Sequence, residues 1–176
     1  NFLASVFAGK DAYGVSFLDV STGEFYAALG NESYVLKLIQ GFSPSEIIFS
    51  KQSRERFEKL LGDEYNIFAL DDWIYGFDYA YEKLINQFKT ASLKGFGIDG
   101  FGEAIIAAGA IIHYLEDTEH RDTTHISSIS RIDEDKFVWL DKFTIRNLEI
   151  VSSQHDGGVP LIDILDFTLT PMGSRQ

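Results

Sequence analysis

The sequence predicts an α/β fold in which a mixed β-sheet is flanked by helices. Three observations support this prediction. Three strand-like segments joined by tight turns begin the chain, short β-branched segments then alternate with amphipathic ones, and residues 101–115 form an apolar run too long for a strand. Alternating strand and helix patterns are typical of a sheet covered by helices.

The first half of the chain predicts a meander followed by alternating helices and strands. Apolar residues 2–8, 13–20 and 24–28 are separated by short turns, which indicates three antiparallel strands. Asn31 and its neighbours can cap a helix over residues 34–40, and Ser53 can cap one that ends before Gly62. Between and after these helices, residues 46–50 and 66–70 predict two more short strands.

A loop at residues 71–77 carries three aromatic side chains, Trp73, Tyr75 and Phe77. Such residues either anchor a loop in the core or form a docking patch, and core anchoring is favoured here. Asp78 is expected to cap the helix that follows. The apolar face of this helix is expected to carry Phe77, Tyr81, Leu84 and Phe88.

Residues 101–115 predict a central helix that is buried on all sides, because residues 104–112 leave no polar face. Its small residues would let a sheet or another helix approach its backbone closely. The helix is expected to emerge into water at Glu116 and Asp117. Together with the preceding elements, it completes an order typical of a ribonuclease H-like arrangement.

The pattern changes after His125, which predicts a domain boundary near Ile132. An extended connection is expected over residues 126–132, a strand over 136–140, and helices starting near Asp141 and Pro160. Residues 1–132 would then form the first domain, and residues 133–176 a mainly helical segment of a second one.

Composition limits the possible functions of the chain. Its 176 residues carry 27 acidic and 15 basic side chains, a net charge of −12, and the basic residues form no cluster. Such a surface repels phosphate, so we expect weak nucleic-acid binding or none. The absence of cysteine excludes disulfides and suits a reducing compartment. No membrane segment or signal peptide is expected, and the start at Asn1 inside an apolar pattern predicts an excised piece.

Residues 95–100 spell G-x-G-x-x-G, the dinucleotide-binding fingerprint. The fingerprint requires a strand before it and an acidic residue on the next strand. Residues 89–94 are a poor strand, and polar residues follow the helix. A glycine-rich entry into a buried helix is therefore the favoured interpretation.

Two kinds of metal site are considered and not favoured. A ribonuclease H-like fold raises the possibility of two-metal hydrolysis, with Asp19 as first ligand. An aspartate before Ser-Thr-Gly more often fixes a turn. Further ligands for the two-metal site would have to come from Asp71, Asp72, Glu103 or Asp117.

A zinc ion could be bound by His113, Asp117 and His120, which share a helix face near His125, but a solvated helix end is the favoured interpretation.

Four segments of the chain, at residues 13–25, 95–97, 141–150 and 165–175, carry motifs that resemble those of the MutS family of DNA mismatch repair proteins. Residues 141–150 are similar to that family's D-x-x-T-x-R-N-L-E-[IL] segment, and residues 165–175 to its L-D-x-T-x-T-x-M-G-x-R segment. Residues 13–25 resemble its G-x-x-x-x-D-x-S-T-G-x-F hairpin, and residues 95–97 with the Ala/Gly-rich helix match as well. The resemblance covers essentially the whole chain.

This resemblance implies that the chain is a ribonuclease H-like connector domain followed by the first stretch of the core, or lever, domain. The connector would be non-catalytic and would need no cofactor, whereas ATP and Mg²⁺ would bind elsewhere in the parent protein. The parent would be a cytoplasmic, bacterial, homodimeric DNA-dependent ATPase that meets mismatched DNA. The connector would transmit nucleotide state between its domains. A metal-dependent nuclease is the alternative function.

The family resemblance also implies a surface that binds MutL. By motif matching, its contact positions fall at Glu82 and Lys83, just before residues 84–88, and at Asp117 at the end of the central helix. Where relatives carry paired glutamines, this chain has Glu82 and Lys83. All three side chains are expected to lie in water.

Overall fold

A six-stranded sheet organises the fold in the computed structural model, which describes residues 1–118 and 123–133. The strand order is β5-β4-β1-β2-β3-β6. The strands are β1 (Phe2–Ala8), β2 (Tyr13–Asp19), β3 (Phe25–Gly30), β4 (Glu46–Ser50), β5 (Asn66–Leu70) and β6 (Ser130–Arg131). The helices are α1 (Glu32–Phe42), α2 (Arg54–Leu61), α3 (Phe77–Phe88) and α4 (Gly102–Thr118).

The sheet is mixed, as the sequence predicts. Strands β1, β2 and β3 pair antiparallel, which confirms the meander, and β4 and β5 extend it in parallel on the β1 side. Strand β6 was expected only as an extended connection. It pairs in parallel with β3 through two residue pairs, Tyr26 with Ser130 and Ala27 with Arg131.

Helices cover both faces of the sheet. On one face, Phe17 of β2 stacks on Phe42 of α1, with ring centroids 4.2 Å apart, and Phe49 of β4 contacts Phe57 of α2 at 5.3 Å. The alternate residues of the strands point to the opposite face, where Leu18 belongs to a buried cluster with the side chains of α3 and α4. The predicted mixed α/β class is therefore confirmed for the described residues.

Helix α4 is buried through its middle, as predicted, and its neighbours approach its backbone closely. Residues from Ala104 to Ile112 are all buried. The Ser16 hydroxyl of β2 donates a hydrogen bond to the Ala104 carbonyl at 3.2 Å. At Gly109, an added Cβ would lie 2.5 Å from Cα of Ala80 on α3. The small residues thus permit close contact with both sheet and helix.

Two expectations near the start of α3 were wrong. The N-cap of this helix is Gly76, and Asp78 lies inside the first turn, where a carboxylate still interacts favourably with the helix dipole. Core anchoring holds for Tyr75, whose side chain is buried and stacks on Phe7. It fails for Trp73 and Phe77, which are 59% and 44% exposed. The short 3-10 turn at Asp72–Tyr75 directs neighbouring side chains to different environments.

The expected strand and helices beyond residue 133, and His120, lie outside the described residues. The domain boundary near Ile132 stays a prediction.

Candidate functional site

The outer sides of α3 and α4 form one continuous surface. Tyr79 and Lys83 lie one turn apart on α3, and His113, Glu116 and Asp117 share a face of α4. Trp73, from the turn before α3, packs beside them. We call this set the α3/α4 surface; it consists of Trp73, Tyr79, Glu82, Lys83, His113, Glu116 and Asp117.

Three aromatic rings form the centre of the α3/α4 surface. The Tyr79 hydroxyl and Nδ1 of His113 are 2.7 Å apart and share a hydrogen bond whose direction depends on the imidazole tautomer. The Trp73 ring meets both rings edge-on, with centroids 5.1 Å from Tyr79 and 5.3 Å from His113. These contacts link the turn before α3 to α4.

Lys83 joins the two helices by an ion pair. Its ammonium group donates a hydrogen bond to the Glu116 carboxylate and lies 5.5 Å from the centroid of the Tyr79 ring. Burial is the largest single influence on the pKa of Lys83 and would lower it, but the hydrogen bond and charge of Glu116 together with the contribution of Tyr79 raise the net pKa. Only 25% of the Lys83 side chain is exposed. The expectation that Lys83 lies in water therefore holds only in part, because Glu116 and Tyr79 hold its side chain against the surface.

The surroundings of His113 lower its pKa and so favour the neutral imidazole. Burial is the largest cause that lowers its pKa, and the positive charge of Lys83 adds to the effect. The carboxylates of Asp117 and Glu116 act in the opposite direction without reversing it. Glu82 and Asp117 are exposed, as predicted. The structure thus brings Lys83 and Asp117 to the same surface through His113 and Glu116, two residues that the family motifs did not indicate.

The histidine and carboxylate groups do not form a metal site in the part of the chain that the structure describes, where no three such residues lie close enough to hold an ion. His113 bonds to Tyr79, and Nε2 of His125 lies 2.8 Å from the Val20 carbonyl oxygen. The zinc site is accordingly not supported by the residues described.

Asp19 fixes a turn, which was the favoured interpretation. Its Oδ1 accepts hydrogen bonds from the Ser21 amide, at 2.9 Å, and from the Ser21 hydroxyl. The hydroxyl bond is the largest of the causes that hold the pKa of Asp19 well below its usual range. Asp71 pairs with Lys51 at 2.6 Å, and Asp72 accepts from the Gln52 amide at 2.9 Å. These two proposed partners therefore have other roles.

The glycine fingerprint is also structural. Residues Lys94–Phe96 form a 3-10 turn that leads towards α4, and residues 89–93 contain no strand. The βαβ unit that the fingerprint requires is not formed at this position. Among residues 1–118 and 123–133, no helix is long and apolar enough to cross a membrane.

Residues 101–103 spell Phe-x-Glu at the start of α4. Here the guanidinium of Arg131 lies 4.8 Å from the centroid of the Phe101 ring, and Glu103 begins α4 next to the backbone of Gly14. Both residues are half-buried in contacts within the domain.

Comparison with known proteins places the chain among mismatch repair proteins. Residues 1–127 match the family model described as MutS domain II. The chain is 55% identical over 175 residues to a DNA mismatch repair protein MutS from Cytophaga hutchinsonii, covering 99% of this chain and 20% of that protein. It is 55% identical over 176 residues to one from Flavobacterium psychrophilum, covering 100% and 20%, respectively. The chain therefore spans about a fifth of the length of these curated relatives.

Proposed function

The chain belongs to the MutS family of DNA mismatch repair proteins, and we propose that it is a non-catalytic connector module of such a protein. In this role it transmits nucleotide state between the ATPase and mismatch-binding domains and offers a docking surface to MutL. The observation that carries the proposal is the α3/α4 surface, which presents Glu82 and Asp117 to solvent beside a cluster of aromatic rings.

The packing of α4 supports the transmitting role. A helix buried from Ala104 to Ile112 against a six-stranded sheet cannot shift without moving the sheet. Rigid-body movement of such a unit is a common way in which distant ligand binding changes the position of a surface. The docking surface would thus be exposed or hidden as the parent protein binds ATP.

The remaining features belong to the parent protein. We place the ATP and Mg²⁺ sites in its ATPase domain, mismatched DNA in contact with its other domains, and the whole protein in the cytoplasm as a homodimer. Residues 1–132 would be the connector, and residues 133–176 the start of the core domain. The acidic charge of −12 supports a part that meets protein partners and not the DNA backbone.

The docking role is tested by charge reversal at Asp117. We expect Asp117→Arg to weaken binding of the MutL N-terminal region roughly tenfold, equivalent to about 1.4 kcal/mol, because an exposed carboxylate is replaced by a cation. The measurement is an NMR titration of the labelled chain, with a duplex-DNA titration beside it. Asp63→Arg is the matched control, since Asp63 is an exposed acid just after α2.

Three outcomes separate the possibilities. Shifts clustered around Glu82, Lys83 and Asp117 with MutL, and none with DNA, support the docking role. Equal affinity of Asp117→Arg and the unchanged chain removes Asp117 from the contact. Shifts with DNA alone show that the charge argument fails and that the chain touches the duplex.

A further inference from the structure

Trp73 is unusually exposed for a residue packed against two other rings. More than half of its surface, 59%, is open to solvent, while its ring meets Tyr79 and His113 edge-on. Exposed tryptophan in a cluster of aromatic rings is characteristic of contact surfaces, where this residue type contributes disproportionately to affinity. The contacts with Tyr79 and His113 hold the indole in place before any partner arrives.

The charges around this indole are mainly negative. Asp117 lies one turn beyond His113 on α4, about 6 Å along the helix axis, and is exposed, as is Glu82 on α3. The positive charge of Lys83 is paired with Glu116, and burial lowers the pKa of His113, which favours its neutral form. The α3/α4 surface around the indole therefore carries more carboxylates than cations, and its net charge is negative.

We propose that Trp73 and Asp117 form a cation-binding pair within the docking surface and receive an arginine side chain from the partner protein; this rests on the proposed docking function. An indole face is the best aromatic acceptor for a cation, and a guanidinium can stack on it while its N–H groups donate to a carboxylate. Arginine suits this pair better than lysine because its planar group makes both contacts at once.

Two other occupants fit the surface less well. Nucleic acid would bring phosphates towards Glu82 and Asp117, and a second copy of this chain would bring another net charge of −12. A protein segment that carries arginine is complementary to the surface in charge.

The test compares two substitutions at Trp73. Trp73→Leu keeps an apolar side chain but removes the aromatic face, whereas Trp73→Phe keeps a weaker one. With the MutL N-terminal region and the whole chain, we expect calorimetry to show about tenfold weaker binding for Trp73→Leu and a smaller loss for Trp73→Phe. Phe77→Leu is the control, because Phe77 is also exposed but contacts Tyr81 and not the cluster around His113.

A second probe separates this inference from the docking function. N-acetylated tetra-arginine is titrated into ¹⁵N-labelled chain, and the indole N–H signal of Trp73, identified by its loss in Trp73→Phe, is followed. We expect a saturable shift that Asp117→Asn reduces at least about fivefold in affinity and that tetra-glutamate does not produce. The other tryptophan, Trp139, supplies a reference signal.

Each outcome has a definite meaning. If MutL binds the chain and Trp73→Leu binds it equally well, the cation-binding pair is wrong and the docking function stands. If MutL does not bind but tetra-arginine shifts Trp73, the docking function is wrong and the pair stands as a cation site. If neither ligand has an effect, both are wrong. Equal losses in Trp73→Leu and Trp73→Phe would overturn the cation–aromatic contact in favour of a specific shape requirement.

Discussion

The contact between β2 and the start of α4 predicts that Gly14→Ala destabilises the domain strongly. An added Cβ would lie 2.0 Å from the carbonyl carbon of Glu103, 2.1 Å from its oxygen and 2.3 Å from the amide nitrogen of Ala104. Carbon atoms in contact are ordinarily about 3.5 Å apart, so strand and helix must separate by about 1.5 Å. Both sides of the contact are backbone, and no side-chain rotation relieves it.

The expected magnitude follows from this geometry. Overpacking a well-filled core typically costs about 1–3 kcal/mol, and replacing a strand glycine by alanine returns about 0.5–1 kcal/mol. Because the clash involves backbone and α4 is buried from Ala104 onwards, we place the net loss near the upper end, at about 2 kcal/mol. For a chain of this length, the midpoint of thermal unfolding should fall by about 4–8 °C.

The assay is thermal and urea unfolding followed by circular dichroism at 222 nm. Gly102→Ala is the control, because Gly102 is the first residue of the same helix and an added Cβ there would meet nothing within 4 Å. This variant should be as stable as the unchanged chain or up to about 1 kcal/mol more stable. Unfolding midpoints that are equal for the two variants would refute the close approach of β2 to α4.

Two further predictions concern titrating groups. The pKa of His113 is lowered mainly by burial, so the unfolded chain binds a proton there more readily than the folded chain does. The free energy of unfolding, measured by urea unfolding at each pH, should therefore fall as pH drops from about 7.5 to about 5.5. The variant His113→Gln should show a flatter pH dependence in this range, and identical profiles for the two proteins would contradict the prediction. Asp19→Ala should lower the free energy of unfolding by about 1 kcal/mol at pH 7, because the Ser21 amide and hydroxyl lose their acceptor. The pKa of Asp19 is depressed, so the difference in the free energy of unfolding between Asp19→Ala and the unchanged chain should shrink as pH falls below the usual range for a carboxyl group. A difference that does not depend on pH would show that the charge of Asp19 does not contribute to stability.

The strands of the meander and the buried helix could be predicted because their patterns are local. Seven consecutive residues at Phe2–Ala8, short turns, and an apolar run without a polar face each favour one structure. Strand β6 could not be predicted in the same way, since two residues carry no pattern and their pairing with β3 is decided by the tertiary fold. The order of the elements suggests a ribonuclease H-like fold, and the family motifs imply the same fold independently.

The candidate site was predictable in part. Exposure of Glu82 and Asp117 follows from the polar sides of two helices. The half-burial of Lys83 depends on Glu116, which is 33 residues away, and therefore cannot be recognised from α3 alone. The environments of Trp73 and Tyr75 are opposite although the residues are two positions apart, because the 3-10 turn that contains both directs their side chains to different sides. Whether Glu82, Lys83 and Asp117 contact a partner stays a prediction.

The packing of α4 connects the two parts of the proposed function. One end of the helix rests on β2 at Gly14, and its middle rests on α3 at Gly109, where backbone meets backbone or a single methyl group. No flexible side chain lies in these contacts that could adjust to a shift of α4, so they fix the position of the helix. His113 and Asp117 lie on the last turns of the same helix, so their position in space is set by the sheet. A force that moves the sheet must therefore move the α3/α4 surface with it, as transmission to a docking surface requires.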